Sequence, residues 1–112
     1  MLRETEIHAQ FAHWLKKHGY AFLHQRTDRK TTTQIGDPDF CVARDGRVLF
    51  IEVKVPGGKM SEAQLARRKE LMDAGNIAEL AYSLQDCIFS VETLLGKEQQ
   101  KRAGGHPGAC WK

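Results

Sequence analysis

Apolar residues recur at helical spacing from residue 4 to residue 18, with Ile7, Phe11, Trp14 and Leu15 on one side and Gly19 placed as a C-terminal stop. On this first helix positions 4, 7, 8, 11 and 15 share the inward side, while 6, 10, 13 and 17 form a polar face. From residue 20 to residue 26 the period changes to two. Tyr20, Phe22 and His24 alternate with Ala21, Leu23 and Gln25, as in a strand. A polar loop over residues 27 to 34 follows. Residues 40 to 55 then hold two apolar, β-branched runs separated by Asp45-Gly46, the dipeptide that favours a two-residue type I′ hairpin because both central residues need positive φ. That turn fixes a register. If Arg44 lies opposite Arg47, then Ala43 pairs with Val48, Val42 with Leu49, Cys41 with Phe50, Phe40 with Ile51, and Asp39 with Glu52.

Pro56-Gly57-Gly58 ends the second arm of the hairpin. Ser61 opens a second helix that runs to about residue 74 and is closed by Gly75, with Leu65, Leu71 and Met72 as its expected core side. Residues 77 to 82 read as a fourth strand. Ser83-Leu84-Gln85-Asp86 resembles a capping box opening a third helix that ends at Gly96. The order α-β-β-β-α-β-α predicts an α/β sandwich with a mixed central sheet covered by helices on both faces. Residues 1–96 form one domain on this reading. Residues 97–112, polar, Gly-rich and without apolar periodicity, form a tail in which Trp111 could anchor a partner.

Composition narrows the class. An apolar share of 41% in 112 residues suffices for one core. Seventeen Lys and Arg against fourteen Asp and Glu leave a net charge of +3, a lean towards polyanionic partners. No secretion signal or stretch of about 20 apolar residues is present, so a cytoplasmic protein without a membrane partner is expected. Cys41, Cys87 and Cys110 lack metal-binding spacing, and the first two read as buried small hydrophobes. His8 and His24 could line a site, although a lone His is more often structural.

The candidate chemistry comes from the hairpin. Directly opposed residues have Cβ atoms about 4.5–5.5 Å apart, so Asp39 and Glu52 would need positive charge between them. Glu52 interrupts an apolar strand, where an unpaired charge is costly, and Lys54, two residues on, points to the same face. Two carboxylates and an ammonium converging there suit Mg²⁺, with Mn²⁺ able to substitute. Such a site fits phosphodiester hydrolysis, with Lys54 orienting water or neutralising charge on phosphorus. Taken singly, Glu52 and Lys54 could be an exposed edge-strand pair and Asp37-Pro38-Asp39 a simple turn. The register favours the site.

Gly36-Asp37-Pro38-Asp39 followed by Phe50-Ile51-Glu52-Val53-Lys54 resembles the PD-(D/E)XK nuclease signature. With the glycine-containing turn and Met60-Ser61-Glu62-Ala63-Gln64 ahead of a helix, residues 4 to 95 look like the VRR-NUC family of that superfamily. The resemblance implies a restriction-endonuclease-like fold, metal ligation by Asp39, Glu52 and the Val53 carbonyl, and a catalytic Lys54. It also implies an acidic residue on the first helix. Glu4 and Glu6 compete for that role, and helical geometry favours Glu4. Gln64 matches a glutamine expected near metal or substrate, or it simply completes a capping box with Ser61.

Phosphate contacts would come from Arg26, Arg29, Lys30 and Lys59, whereas Arg67, Arg68 and Lys69 form a second basic cluster that reads more readily as a solvated helix face than as a DNA contact. The resemblance points to branched DNA such as Holliday junctions, with no small-molecule cofactor. Symmetric resolution of a junction needs two active sites and hence a homodimer, with Ile88, Phe89, Val91 and Leu94 as possible interface residues. The rivals are a non-catalytic DNA-binding or assembly module and a nicking or restriction-like nuclease working with another protein.

Overall fold

The computed structural model describes residues 2–25 and 36–96. The basic loop residues Arg26, Arg29 and Lys30, and the tail with Cys110 and Trp111, lie outside them. The elements are α1 (Glu4–Lys17), β1 (Ala21–His24), β2 (Phe40–Arg44), β3 (Arg47–Val53), α2 (Glu62–Asp73), β4 (Ile77–Ala81) and α3 (Leu84–Leu95). The four strands lie in the order β1-β2-β3-β4. The first three are antiparallel neighbours and β4 runs parallel to β3, reached through α2. The sheet is therefore mixed, as the element order predicts. Its first strand is shorter than the alternation suggests, because pairing with β2 spans only Ala21 to His24.

Asp45 and Gly46 both have positive φ, 52° and 79°, the backbone that a type I′ turn requires. The register from Arg44↔Arg47 to Phe40↔Ile51 is the one that this turn dictates. Consequently Phe40, Val42, Leu49, Ile51 and Val53 face one side and are almost wholly buried. On that side Phe11 of α1 meets the Phe40 ring edge to face at 4.8 Å between centroids, and removing such a ring costs about 3–5 kcal/mol. Ile7, Leu15, Ala81, Cys87, Val91 and Leu95 complete the core. Val91 is thus committed to the interior and cannot serve an interface, while Phe89 on the same helix is 70% exposed. Cys87 is buried as expected, and its thiol is pushed up to about 12, chiefly by burial. Cys41, on the opposite face of the sheet, is only half-buried.

The second helix departs from its expected packing. No residue of α2 is fully buried, and Leu65 and Met72 are 53% and 46% exposed. Its inward side is Ala63, Gln64, Arg67, Arg68 and Leu71, and polar bonds hold it. Arg67 Nε donates to Asp37 Oδ1 at 2.9 Å, and Arg68 Nε donates to the Ala78 carbonyl at 3.1 Å. The α3 cap also differs from a full capping box. Ser83 Oγ accepts the Asp86 N–H, but Asp86 Oδ2 accepts the N–H of Tyr82 rather than that of Ser83. Among the described residues no helix is long and apolar enough to cross a membrane.

Candidate active site

Because β2 begins at Phe40, Asp39 lies one residue beyond the ladder that would have set it squarely opposite Glu52. Its carboxylate folds onto the backbone instead, Oδ2 accepting the Val53 N–H at 2.8 Å. Its own carbonyl accepts the Gln25 N–H at 2.9 Å, which ties the bend to the end of β1. Glu52, on β3, is 5% exposed. Its Oε2 accepts from Gln64 Nε2 at 2.6 Å and lies 4.0 Å from Lys54 Nζ.

Despite the broken ladder, the two acids meet. The Glu52 carboxyl is pushed up to about 8, first by burial and then by the charge of Asp39, with Lys54 opposing and the charge of Glu4 and a hydrogen bond donated by the protonated Glu52 to Asp39 adding. In the metal-free chain at neutral pH the pair therefore holds a proton in place of its second negative charge. A divalent cation can take that role. Among the described residues no group of three or more His, Cys, Asp or Glu is arranged to hold a metal ion. Two carboxylates are what these residues offer a cation, a donor number compatible with Mg²⁺, which binds through one or two carboxylates and keeps several waters.

Glu4 lies half-buried at the start of α1, close enough for its charge to reach Glu52. Glu6 turns the other way, accepting the Arg3 N–H at 2.8 Å. Gln64 completes the capping box expected of it and also reaches Glu52. Its Oε1 accepts the Ser61 N–H and its N–H reaches Ser61 Oγ, while Nε2 still bonds Glu52. A small pocket of about 10 Å³, lined by Gly36, Pro38, Phe50, Met60 and Gln64, adjoins Glu52. Lys59 is exposed close by in sequence. Arg67 and Arg68 use their guanidinium groups to clamp α2, and Lys69 bonds Asp73 at 2.8 Å, so this cluster is engaged within the protein.

Two residues read singly from the sequence form a pair. His8 Nδ1 and His24 Nε2 are 2.9 Å apart, and His8 Nε2 lies 3.3 Å from Asp39 Oδ2. The available signal was positional, since His8 sits one helical turn after Glu4 on the inward side and His24 ends the inward series of β1.

Two solved structures share this architecture. One, titled VRR_NUC domain, superposes with a TM-score of 0.66 at 18% identity, covering 84% of this chain and 99% of that one. The chain has the VRR_NUC fold. The other, a VRR_NUC domain protein, gives a TM-score of 0.68 at 22% identity over 81% of this chain and 86% of its own. No protein-family model and no curated protein matches the sequence. As this chain builds the VRR_NUC fold, the acidic pair sits at the open end of the β2–β3 hairpin, with α1 on one side and α2 on the other.

Proposed function

We propose that the chain is a Mg²⁺-dependent endodeoxyribonuclease that hydrolyses phosphodiester bonds in branched DNA, Holliday junctions included, and works as a homodimer. The observation that carries this reading is the buried Asp39–Glu52 pair flanked by Lys54 and Gln64, because a Glu52 carboxyl raised by burial and by the charge of Asp39 sits where a divalent cation, and through it an anionic substrate, would be favoured. Asp39, Glu52 and the Val53 carbonyl would hold the ion, with Glu4 adding negative charge and Mn²⁺ an acceptable substitute. When bound, such an ion supplies Lewis acidity towards water and a phosphoryl oxygen.

The chain's own groups supply the rest. Hydrolysis joins a water oxygen to phosphorus and breaks one P–O ester bond, leaving a phosphate monoester and a sugar hydroxyl. Lys54, half-buried and 4.0 Å from Glu52, is placed to orient that water and to offset charge developing on phosphorus. Gln64 holds Glu52 in one rotamer. Lys59, with Arg26, Arg29 and Lys30 outside the described residues, would meet the phosphates. One site cuts one strand, so paired incision of a junction requires a two-fold dimer, for which the exposed Phe89 of α3 is an available contact.

The test compares Mg²⁺-dependent cleavage of a four-way junction, a flap and a linear duplex, together with the solution mass. The parent should cut the junction at a mass of two 12.7 kDa chains, and Glu52→Ala and Lys54→Ala should not cut. Cleavage by both variants at the parent's rate would refute the catalytic assignment. A parent that binds junctions without cutting them would be a DNA-binding module.

A further inference from the structure

His8 belongs to the inward side of α1 and is 5% exposed. Its ring is held edge to face on Phe40 at 5.3 Å, while His24 stacks flat on the same ring at 4.2 Å and 2°. His24 is also the ladder partner of Phe40, so both imidazoles are fixed against one rigid residue. Their nitrogens meet at 2.9 Å, and one of the two must therefore donate. The outcome is decided at the other end of His8. Nε2 is buried without a hydrogen-bond partner in the described structure and faces Asp39 Oδ2 at 3.3 Å. A carboxylate oxygen only accepts, so a neutral His8 that satisfies both ends carries its proton on Nε2. His8 Nδ1 is then the acceptor and His24 Nε2–H the donor.

We infer that His8 is a positioning residue for Asp39. It is set in one tautomer by His24 and turns Asp39 so that Oδ2 faces the protein and Oδ1 is left for a bound cation. The Val53 N–H, already on Oδ2 at 2.8 Å, acts in the same sense from the opposite strand. The Val53 N–H is bonded to Oδ2, and His8 Nε2 stands 3.3 Å from the same oxygen without an aligned hydrogen bond in the metal-free chain. With His8 donating as well, two donors on one oxygen would fix the plane of the carboxylate, which is how hydrogen bonds outside a metal's own ligands tune its affinity. This inference rests on the nuclease reading for the presence of the cation, but the tautomers it assigns do not depend on one.

The experiment measures Mn²⁺ affinity of the full chain by electron paramagnetic resonance of the free ion, and imidazole tautomers of the metal-free chain by ¹⁵N NMR. His8→Leu should weaken Mn²⁺ binding by about 10–100-fold. His8→Gln, whose amide nitrogen reaches the position of Nε2, should restore most of that loss. His24→Phe keeps the stack on Phe40 but removes the donor, and should give a smaller loss. In the parent, both rings should carry the proton on Nε2. A folded His8→Leu that binds Mn²⁺ as tightly as the parent, even with a lowered Tm, would leave His8 a purely structural residue and overturn the inference. An Nδ1–H tautomer at His8 would overturn it too, and that result stands even if His8→Leu fails to fold. A parent that binds no Mn²⁺ would remove the nuclease reading together with this one.

Discussion

The side chain of Gln64 spans two structures at once: Oε1 accepts the Ser61 N–H at 2.8 Å, and Nε2 donates to Glu52 Oε2 at 2.6 Å. The first turn of α2 and the acidic pair on β3 are therefore mechanically joined. Substitutions can separate the two bonds. Gln64→Glu keeps an acceptor for the capping box but sets a third carboxyl against Glu52. It should unfold in urea close to the parent while losing cleavage by about 10–100-fold. Ser61→Ala should show the reverse, a loss of about 1 kcal/mol in stability with cleavage within a few-fold of the parent. Parent-like cleavage by Gln64→Glu would leave Gln64 as a cap only.

Lys54 is expected to separate chemistry from metal binding. Its ammonium, 4.0 Å from Glu52 Oε2, opposes the upward push on that carboxyl. A cation there competes with a bound metal ion while helping the transition state. Lys54→Ala should therefore lose about 100-fold or more in cleavage and keep or gain Mn²⁺ affinity. Glu52→Ala should lose both. If Lys54→Ala loses Mn²⁺ binding in step with cleavage, its role is to shape the site rather than to assist the reaction.

The acidic pair also sets a pH dependence. In the unfolded chain Glu52 ionises near its ordinary 4.5, whereas in the fold it holds its proton up to about 8. Between those values the native state binds more protons than the unfolded one, so metal-free stability should fall as pH rises from about 4.5 to about 8 and level off above. The Glu52 contribution to that fall is on the order of a few kcal/mol. Urea unfolding at a series of pH values should show it for the parent and a flatter profile for Glu52→Gln. Added Mg²⁺ should stabilise the parent more at pH 8 than at pH 6, because at the lower pH it must first displace the proton. Parallel profiles for parent and Glu52→Gln would mean that Glu52 ionises normally in the fold.

The parts of this fold that follow from local chemistry were legible in the sequence. Asp45-Gly46 determines its turn by backbone conformation alone, and five cross-strand pairs follow by counting. The sixth does not. Asp39 leaves the ladder because its carboxylate finds the Val53 N–H, a bond whose two ends no periodicity connects. The inward side of α2 was misread for a related reason. Apolar spacing picks out Leu65 and Met72, yet the helix is seated by Gln64, Arg67 and Arg68, whose partners Glu52, Asp37 and Ala78 are distant in sequence. The same holds for His8 and His24, sixteen residues apart and in contact only because α1 packs against β1. Apolar pattern reports which face is greasy, and it is silent where polar bonds do the packing.

Gly36 offers the last test, because there the backbone of the site loop touches α2. Its φ is +95°, and a Cβ added there would meet the Ala63 carbonyl oxygen at 2.5 Å and its carbon at 2.7 Å, both backbone atoms that cannot swing aside. At Gly46, φ is also positive but the space is open. Gly46→Ala should therefore cost about 1 kcal/mol from backbone conformation alone. Gly36→Ala adds an overlap of the kind that costs about 1–3 kcal/mol more. The extra cost should fall on function as well. Pushing Ala63 away from the loop carries the neighbouring Gln64 off Glu52, so Gly36→Ala should cleave more slowly than its remaining folded fraction explains, while Gly46→Ala should not. Hydrogen exchange should locate the change in the first turn of α2. Equal stability losses for the two variants, with unchanged exchange at Ala63 and Gln64, would mean that the loop and α2 are not in contact in solution.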